Sequence, residues 1–226
     1  MTGLPRGSLT RELLVRESLR LLDADGVAGF SLPKLGRAIG ADPTAIYRHF
    51  ASKDELVLAI ADALIAEGCA GLEPSDCWVR TLAEIARRAR STYLAHPAAA
   101  SLSASRTTQG PAEMHAVEMI LGALHTAGFT GKEAATVYRA FGDFCQFWGV
   151  GEATFLALDE QAQQADTDAW TRAYLVADRT AYPNIWQVRE ELPVVDDDEI
   201  FETILSLVLA GLVQRAPNPC GCPEHR

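Results

Sequence analysis

The chain has 226 residues, 48% of them apolar, and a formal charge of -10. That is enough for one large domain or a small domain joined to a larger one, with a sizeable buried core. No run approaches the ~18 consecutive apolar residues of a membrane span, and Arg6 and Arg11 precede no apolar signal core, so a cytoplasmic protein is expected. The five cysteines, Cys69, Cys77, Cys145, Cys220 and Cys222, are odd in number and lack the spacing of a disulfide framework; reduced thiols are expected. Cys220, Cys222 and His225 offer at most three metal ligands on a Pro-rich stretch, so residues 216–226 read as a flexible tail, with no metal and no cofactor.

The net charge hides an asymmetry. Residues 1–55 carry eight Lys and Arg against seven Asp and Glu, about +1, while the remainder carries 12 against 23. The acid belongs to the C-terminal part, and a polyanionic partner for the first segment is not excluded.

From Thr10, residues Leu14, Val15, Ser18, Leu21 and Leu22 recur at helical spacing, and Asp25-Gly26 stops the pattern. Ser31 then caps a short second helix with Pro33 in its first turn and Leu35, Ala38 and Ile39 on its apolar face. Gly40-Ala41-Asp42 separates it from a third helix, for which Asp42 is the N-cap and Pro43 the first position. Two short helices joined by such a turn form a helix-turn-helix signature. A 100° wheel turns Ile46 and Phe50 inward, places Thr44 and Arg48 opposite them, and puts Ala45, Tyr47 and His49 on the flanks. Ser52-Lys53-Asp54-Glu55 matches a capping box opening a long helix through Leu64. Lys53 sits at a helix N-terminus, where a cation opposes the dipole unless an anion approaches.

Over residues 8–56 this segment resembles the DNA-binding domain of the TetR family of transcriptional regulators, through Gly26, Phe30-Ser31, Leu35 to Gly40, Ile46-Tyr47-Arg48-His49-Phe50 and Ser52 to Leu56. The resemblance implies that the third helix enters the major groove of DNA and that Tyr47, His49 and Lys53 hold phosphates. Thr44 and Arg48 are the candidates for reading bases; a bidentate Arg48 contact to guanine discriminates by about 1–3 kcal/mol, and phosphate is its alternative partner. Residues 57–215 resemble the tetracycline-repressor class through Cys77-Trp78, Leu94-Ala95-His96 and Gly128-Phe129. Pro33 stands where those repressors place a base-reading Arg, and Ser103 where they place a His that holds a magnesium-drug chelate, so a ligand other than tetracycline and a different operator are expected.

Beyond residue 70 helices are expected throughout, over Trp78 to Leu94, Ala112 to Ala127, Lys132 to Leu158 and Glu199 to Gln214, with breaks at His96-Pro97 and Gly110-Pro111. The third and fourth are apolar on most faces and must be covered on most faces, by the domain's own core or by a cavity and a partner subunit. The resemblance implies a four-helix dimer interface from two such helices per chain, and so a homodimer on a pseudo-palindromic duplex with half-sites about 34–36 Å apart. Phe144, Phe147, Trp148, Trp170 and Tyr174 are candidate linings of a pocket for an apolar or aromatic effector; His96, His115 and His125 read as surface or cap residues. Residues 159–171 are polar with little periodicity, a loop or helix extension near the pocket mouth.

The expected class is all-α: a three-helix helix-turn-helix domain followed by a larger helical ligand-binding and dimerisation domain. The expected function is a ligand-responsive regulator, a repressor by the usual mode of the family resembled, released from its operator by a small molecule. No nucleophile elbow, Walker-type loop, His-Glu-x-x-His or Cys-x-x-Cys is present. The competing reading is a helical small-molecule binder or enzyme with a vestigial DNA-binding domain.

Overall fold

The computed structural model describes residues 9–103, 106–218 and 220. Among these no strand occurs, in agreement with the all-α expectation. Arg6, Cys222 and His225, and most of the expected tail, lie outside the described residues.

Helix α1 (Arg11–Gly29) starts at Thr10, whose side chain accepts from Leu13 N–H. Gly26 interrupts it in the left-handed region (φ 66°), at the stop read from the sequence. Helix α2 (Leu32–Ala38) is capped by Ser31, which accepts from Lys34 N–H. Leu14, Leu22, Leu35, Ile46, Phe50, Leu56 and Ile60 close one core, and Ala98 to Ala100 of α5 (Pro97–Leu102) belong to it. The helix-turn-helix core is therefore continuous with the helices that follow.

Two compact units emerge, Met1–Ala157 with Arg215–Arg226, and Leu158–Gln214. In the first, α3 (Lys53–Cys69) lies beside α4 (Trp78–Ala95) and α6 (Pro111–Thr126), and α4 packs along α7 (Gly131–Leu156). Arg90 joins α4 to α7 by two parallel bonds to Glu152, at 2.7 and 2.8 Å, both side chains largely buried. Such a fork fixes register as well as energy. Gly149 lets α7 approach α4: a Cβ there would stand 2.6 Å from the Tyr93 ring.

The second unit contains α8 (Glu160–Leu175), α9 (Pro183–Gln187), a 3-10 turn (Leu192–Val194) and all but the last residue of α10 (Asp197–Arg215). The polar stretch 159–171 is helical because Asp159 caps α8, accepting from Ala162 N–H. Trp170 stacks edge-on against Tyr174 at 4.7 Å and donates to the Leu192 carbonyl. Along α10, Phe201, Leu205 and Leu209 form a buried stripe at a spacing of four, while Leu207 is 66% exposed.

Candidate functional site

The segment expected as a third α-helix, Pro43–Arg48, is a 3-10 helix. Ala45 N–H bonds the Asp42 carbonyl and His49 N–H that of Ile46, both three residues back. Pro43 contributes no N–H, and Asp42 draws in both the N–H (2.8 Å) and the hydroxyl (2.6 Å) of Thr44, which tightens the first turn. Ile46 and Phe50 are buried as expected. Thr44, Tyr47 and Arg48 are exposed, and His49 is half-buried. With three residues per turn, Thr44 and Tyr47 share one face, where the 100° wheel puts Tyr47 on a flank of it. The Thr44 hydroxyl is held by Asp42, which leaves its methyl as the unengaged end of the side chain.

Two features that the sequence pattern did not reveal hold this segment in place. Gly36 of α2 lies against the turn: a Cβ would stand 2.9 Å from the Ala41 carbonyl oxygen and 3.0 Å from the Pro43 ring. Arg11 of α1 spans the segment, donating to the His49 carbonyl and to Glu55 (2.8 Å), with its guanidinium 4.1 Å from the centre of the Phe50 ring. The Arg11 contact and the Ala51 N–H hold the Glu55 carboxyl below the usual glutamate range. The capping box forms, with Ser52 accepting from Glu55 N–H and Glu55 reaching back to Ala51 N–H instead of to Ser52. Lys53 is exposed at the start of α3, its ammonium 5.4 Å from the Phe30 ring centre. Tyr47, Arg48 and Lys53 are thus solvent-facing groups on consecutive, rigidly capped elements.

Helix α3 runs from this surface to a cavity of about 190 Å³. Leu64, Ile65, Gly68 and Cys69 of α3 line it, with Tyr93 of α4, Val117 and Ile120 of α6, and Tyr138, Cys145 and Phe147 of α7. Burial pushes the Tyr93 phenol and the Cys145 thiol up to about 12 and raises the Cys69 thiol, so all three are neutral at physiological pH. Arg106, Glu113, Arg139 and Asp143 supply charge at its wall. Arg106 also grips Asp54 in the first turn of α3 by two bonds of 2.7 and 2.8 Å. Asp62, mid-way along α3, accepts from Glu113 N–H and from the Thr108 hydroxyl, and so caps the start of α6.

Of the expected pocket residues, Phe147 lines this cavity; Phe144 and Trp148 of the same helix are not among its lining. Trp170 and Tyr174 belong to α8 in the second unit. Helical spacing could not separate cavity-facing from packed aromatics on α7, and Tyr93 and Tyr138 carried no signal beyond it. His96 lies within 3.0 Å of Asp23 and 3.3 Å of Glu67, while His115 and His125 are exposed. Among the described residues no three His, Cys, Asp or Glu side chains gather as metal ligands.

Residues 14–60 match the family described as bacterial regulatory proteins, tetR family, and residues 70–216 match the tetracyclin repressor-like C-terminal domain. The chain is 30% identical over 204 residues to the class A tetracycline repressor protein from transposon 1721 of Escherichia coli, covering 89% of each chain. It is 27% identical over 175 residues to an HTH-type transcriptional regulator of Saccharopolyspora erythraea, covering 77% of this chain and 72% of that one. Among solved structures, it is similar to the Streptomyces coelicolor TetR family protein ActR in complex with actinorhodin, with a TM-score of 0.79 and 25% identity over 93% of this chain and 98% of that one. A buried Ile46–Phe50 pair beneath exposed Thr44, Tyr47 and Arg48, two matched domains and relatives matched along most of their length lead to one conclusion: the chain belongs to the TetR family of bacterial transcriptional regulators.

Proposed function

We propose that the protein binds a pseudo-palindromic DNA operator as a homodimer and represses transcription until a small molecule enters the cavity lined by Tyr93, Tyr138 and Phe147. The observation that carries this reading is the continuity of α3: Lys53 opens it at the DNA-facing surface, and its last turns form a wall of the cavity. A ligand that favours one position of α3 by about 1–3 kcal/mol alters operator occupancy accordingly. In this reading Tyr47, His49 and Lys53 hold phosphates, Arg48 reads a base and Thr44 presents its methyl. Residues 8–56 form the reading domain and 57–215 the domain that senses and dimerises.

The effector is an apolar or aromatic molecule with a polar substituent, since the cavity wall combines aromatic side chains with Arg106 and Arg139. Dimerisation is supported by exposed apolar residues on two helices, Phe155 of α7 and Leu207 of α10, in a chain whose single small reading head buries too little surface for selectivity. The protein works in the cytoplasm and without catalysis; no helix among the described residues is long and apolar enough to cross a membrane.

Selection of the purified protein against a random duplex pool tests the proposal. Enrichment of an inverted repeat with half-sites one helical turn apart is expected. On that duplex, Tyr47→Phe and Lys53→Ala should weaken binding to all sequences, with Lys53→Ala also flattening its salt dependence, whereas Arg48→Ala should relax specificity at one position. A pool that yields no repeat would favour the vestigial DNA-binding alternative.

A further inference from the structure

We propose that Cys77 and Cys220 form an oxidisable thiol pair whose disulfide fastens the segment after α10 onto the start of α4. The two Sγ atoms lie 2.9 Å apart, closer than van der Waals contact, although the residues are 143 positions apart in sequence. Each residue is only 4% exposed. Both sides of the pair are positioned by contacts independent of the sulfurs. Cys77 is the N-cap residue of α4, and the Ser75 hydroxyl both donates to its carbonyl (2.8 Å) and accepts from its N–H (3.2 Å). On the other side, Asn218 N–H donates to the Ala127 carbonyl (2.9 Å) and its side-chain amide to that of Thr126 (3.2 Å), docking the segment on the corner between α6 and α7. That corner is shaped for the segment: Gly128 adopts φ 91°, and a Cβ there would stand 2.9 Å from Pro217 and 3.1 Å from Asn218.

The oxidant is a hydroperoxide. One thiol sulfur attacks the peroxide, the O–O bond breaks, and the products are a sulfenic acid and an alcohol (water, for hydrogen peroxide). The second thiol then displaces the sulfenic hydroxyl as water, forming the S–S bond; two thiols are oxidised by one electron each and one peroxide is reduced. Cys220 is the entry point, because a segment held by two backbone-directed bonds opens locally far more often than the first turn of a packed helix. On reclosing, the sulfenic sulfur returns to Cys77. Cys69 and Cys145, in the cavity wall with thiols raised by burial, are internal controls that stay reduced. Closing so long a loop restricts the unfolded chain and stabilises the fold.

The experiment treats the full chain with hydrogen peroxide, blocks remaining thiols by alkylation, and maps peptides by mass spectrometry. A Cys77–Cys220 linkage reversed by dithiothreitol is expected, together with a thermal midpoint about 5–10 °C above that of the reduced protein. Both effects should vanish in Cys220→Ser. Gly128→Ala, which leaves both thiols but undocks the segment, should slow linkage several-fold. Pairing of Cys220 with Cys222, over-oxidation of a single thiol, free thiols throughout, linkage with an unchanged midpoint, or linkage at the same rate in Gly128→Ala would each overturn the proposal.

Discussion

Gly36 shows what one missing methyl group permits. Its neighbours across the turn are the Ala41 carbonyl and the Pro43 ring, neither of which is the free end of a flexible side chain. Gly36→Ala should gain ~1 kcal/mol of helix propensity but lose roughly 1–3 kcal/mol to overpacking, lowering the urea midpoint and shifting Pro43–Arg48 out of reading position. A midpoint that rises would mean that the turn yields without cost. Glu55 is a second residue with an outsized local role, bonded to Arg11 and to Ala51 N–H at once. Its folded carboxyl titrates below the unfolded one, as do those of Asp54, held by Arg106, and Asp42, held by Thr44. The unfolded chain therefore binds more protons as acid is added, so the stabilisation is complete above the ordinary carboxylate range and is lost as pH falls through the lowered folded values. Thermal midpoints should hold steady down to about pH 5 and decline below it, with a shallower decline in Glu55→Gln.

At the scale of elements, α7 is the helix whose reading demanded tertiary information. Its aromatic side chains point in several directions, and only Phe147 and Tyr138 reach the cavity. The Arg90–Glu152 fork and the Gly149–Tyr93 approach together set how close α7 sits to α4. Alanine at 149 would drive its Cβ into the Tyr93 ring, a wall of the cavity, and the ring has to move. Gly149→Ala is expected to weaken binding of the dye 8-anilinonaphthalene-1-sulfonate several-fold and to lower the unfolding midpoint. Unchanged dye titration would mean that Tyr93 rotates within its own space. The 3-10 form of Pro43–Arg48 is an element-scale result too, since its tighter winding brings Thr44 and Tyr47 onto one face.

For the whole molecule, charge and assembly act together. In the proposed reading, an acidic chain with a first segment near +1 relies on a few placed cations rather than on a broad basic surface. Equilibrium sedimentation is expected to give twice the mass of 24.4 kDa at micromolar concentration. Replacing Leu207 of α10 by Glu should dissociate the dimer and abolish operator binding while leaving the helical circular dichroism intact. A monomeric wild type that still selects an inverted repeat would remove α10 from the interface.

The sequence alone determined the helix-turn-helix, because its signals are local: Ser31, Asp42 and Ser52 cap helices within three residues of themselves, and Ile46 and Phe50 read as inward from spacing alone. It also determined the all-α class. Tertiary structure decided the rest. A wheel cannot tell a core-facing aromatic from a cavity-facing one, so only packing shows that Tyr93 and Tyr138 line the cavity and that Phe144 and Trp148 are not among its lining. Nor does spacing foretell that Arg11 would reach Glu55, that Arg106 would reach Asp54, or that Cys77 would meet Cys220. Those contacts join residues dozens to over a hundred positions apart, and they exist only because the helices between them pack in one arrangement.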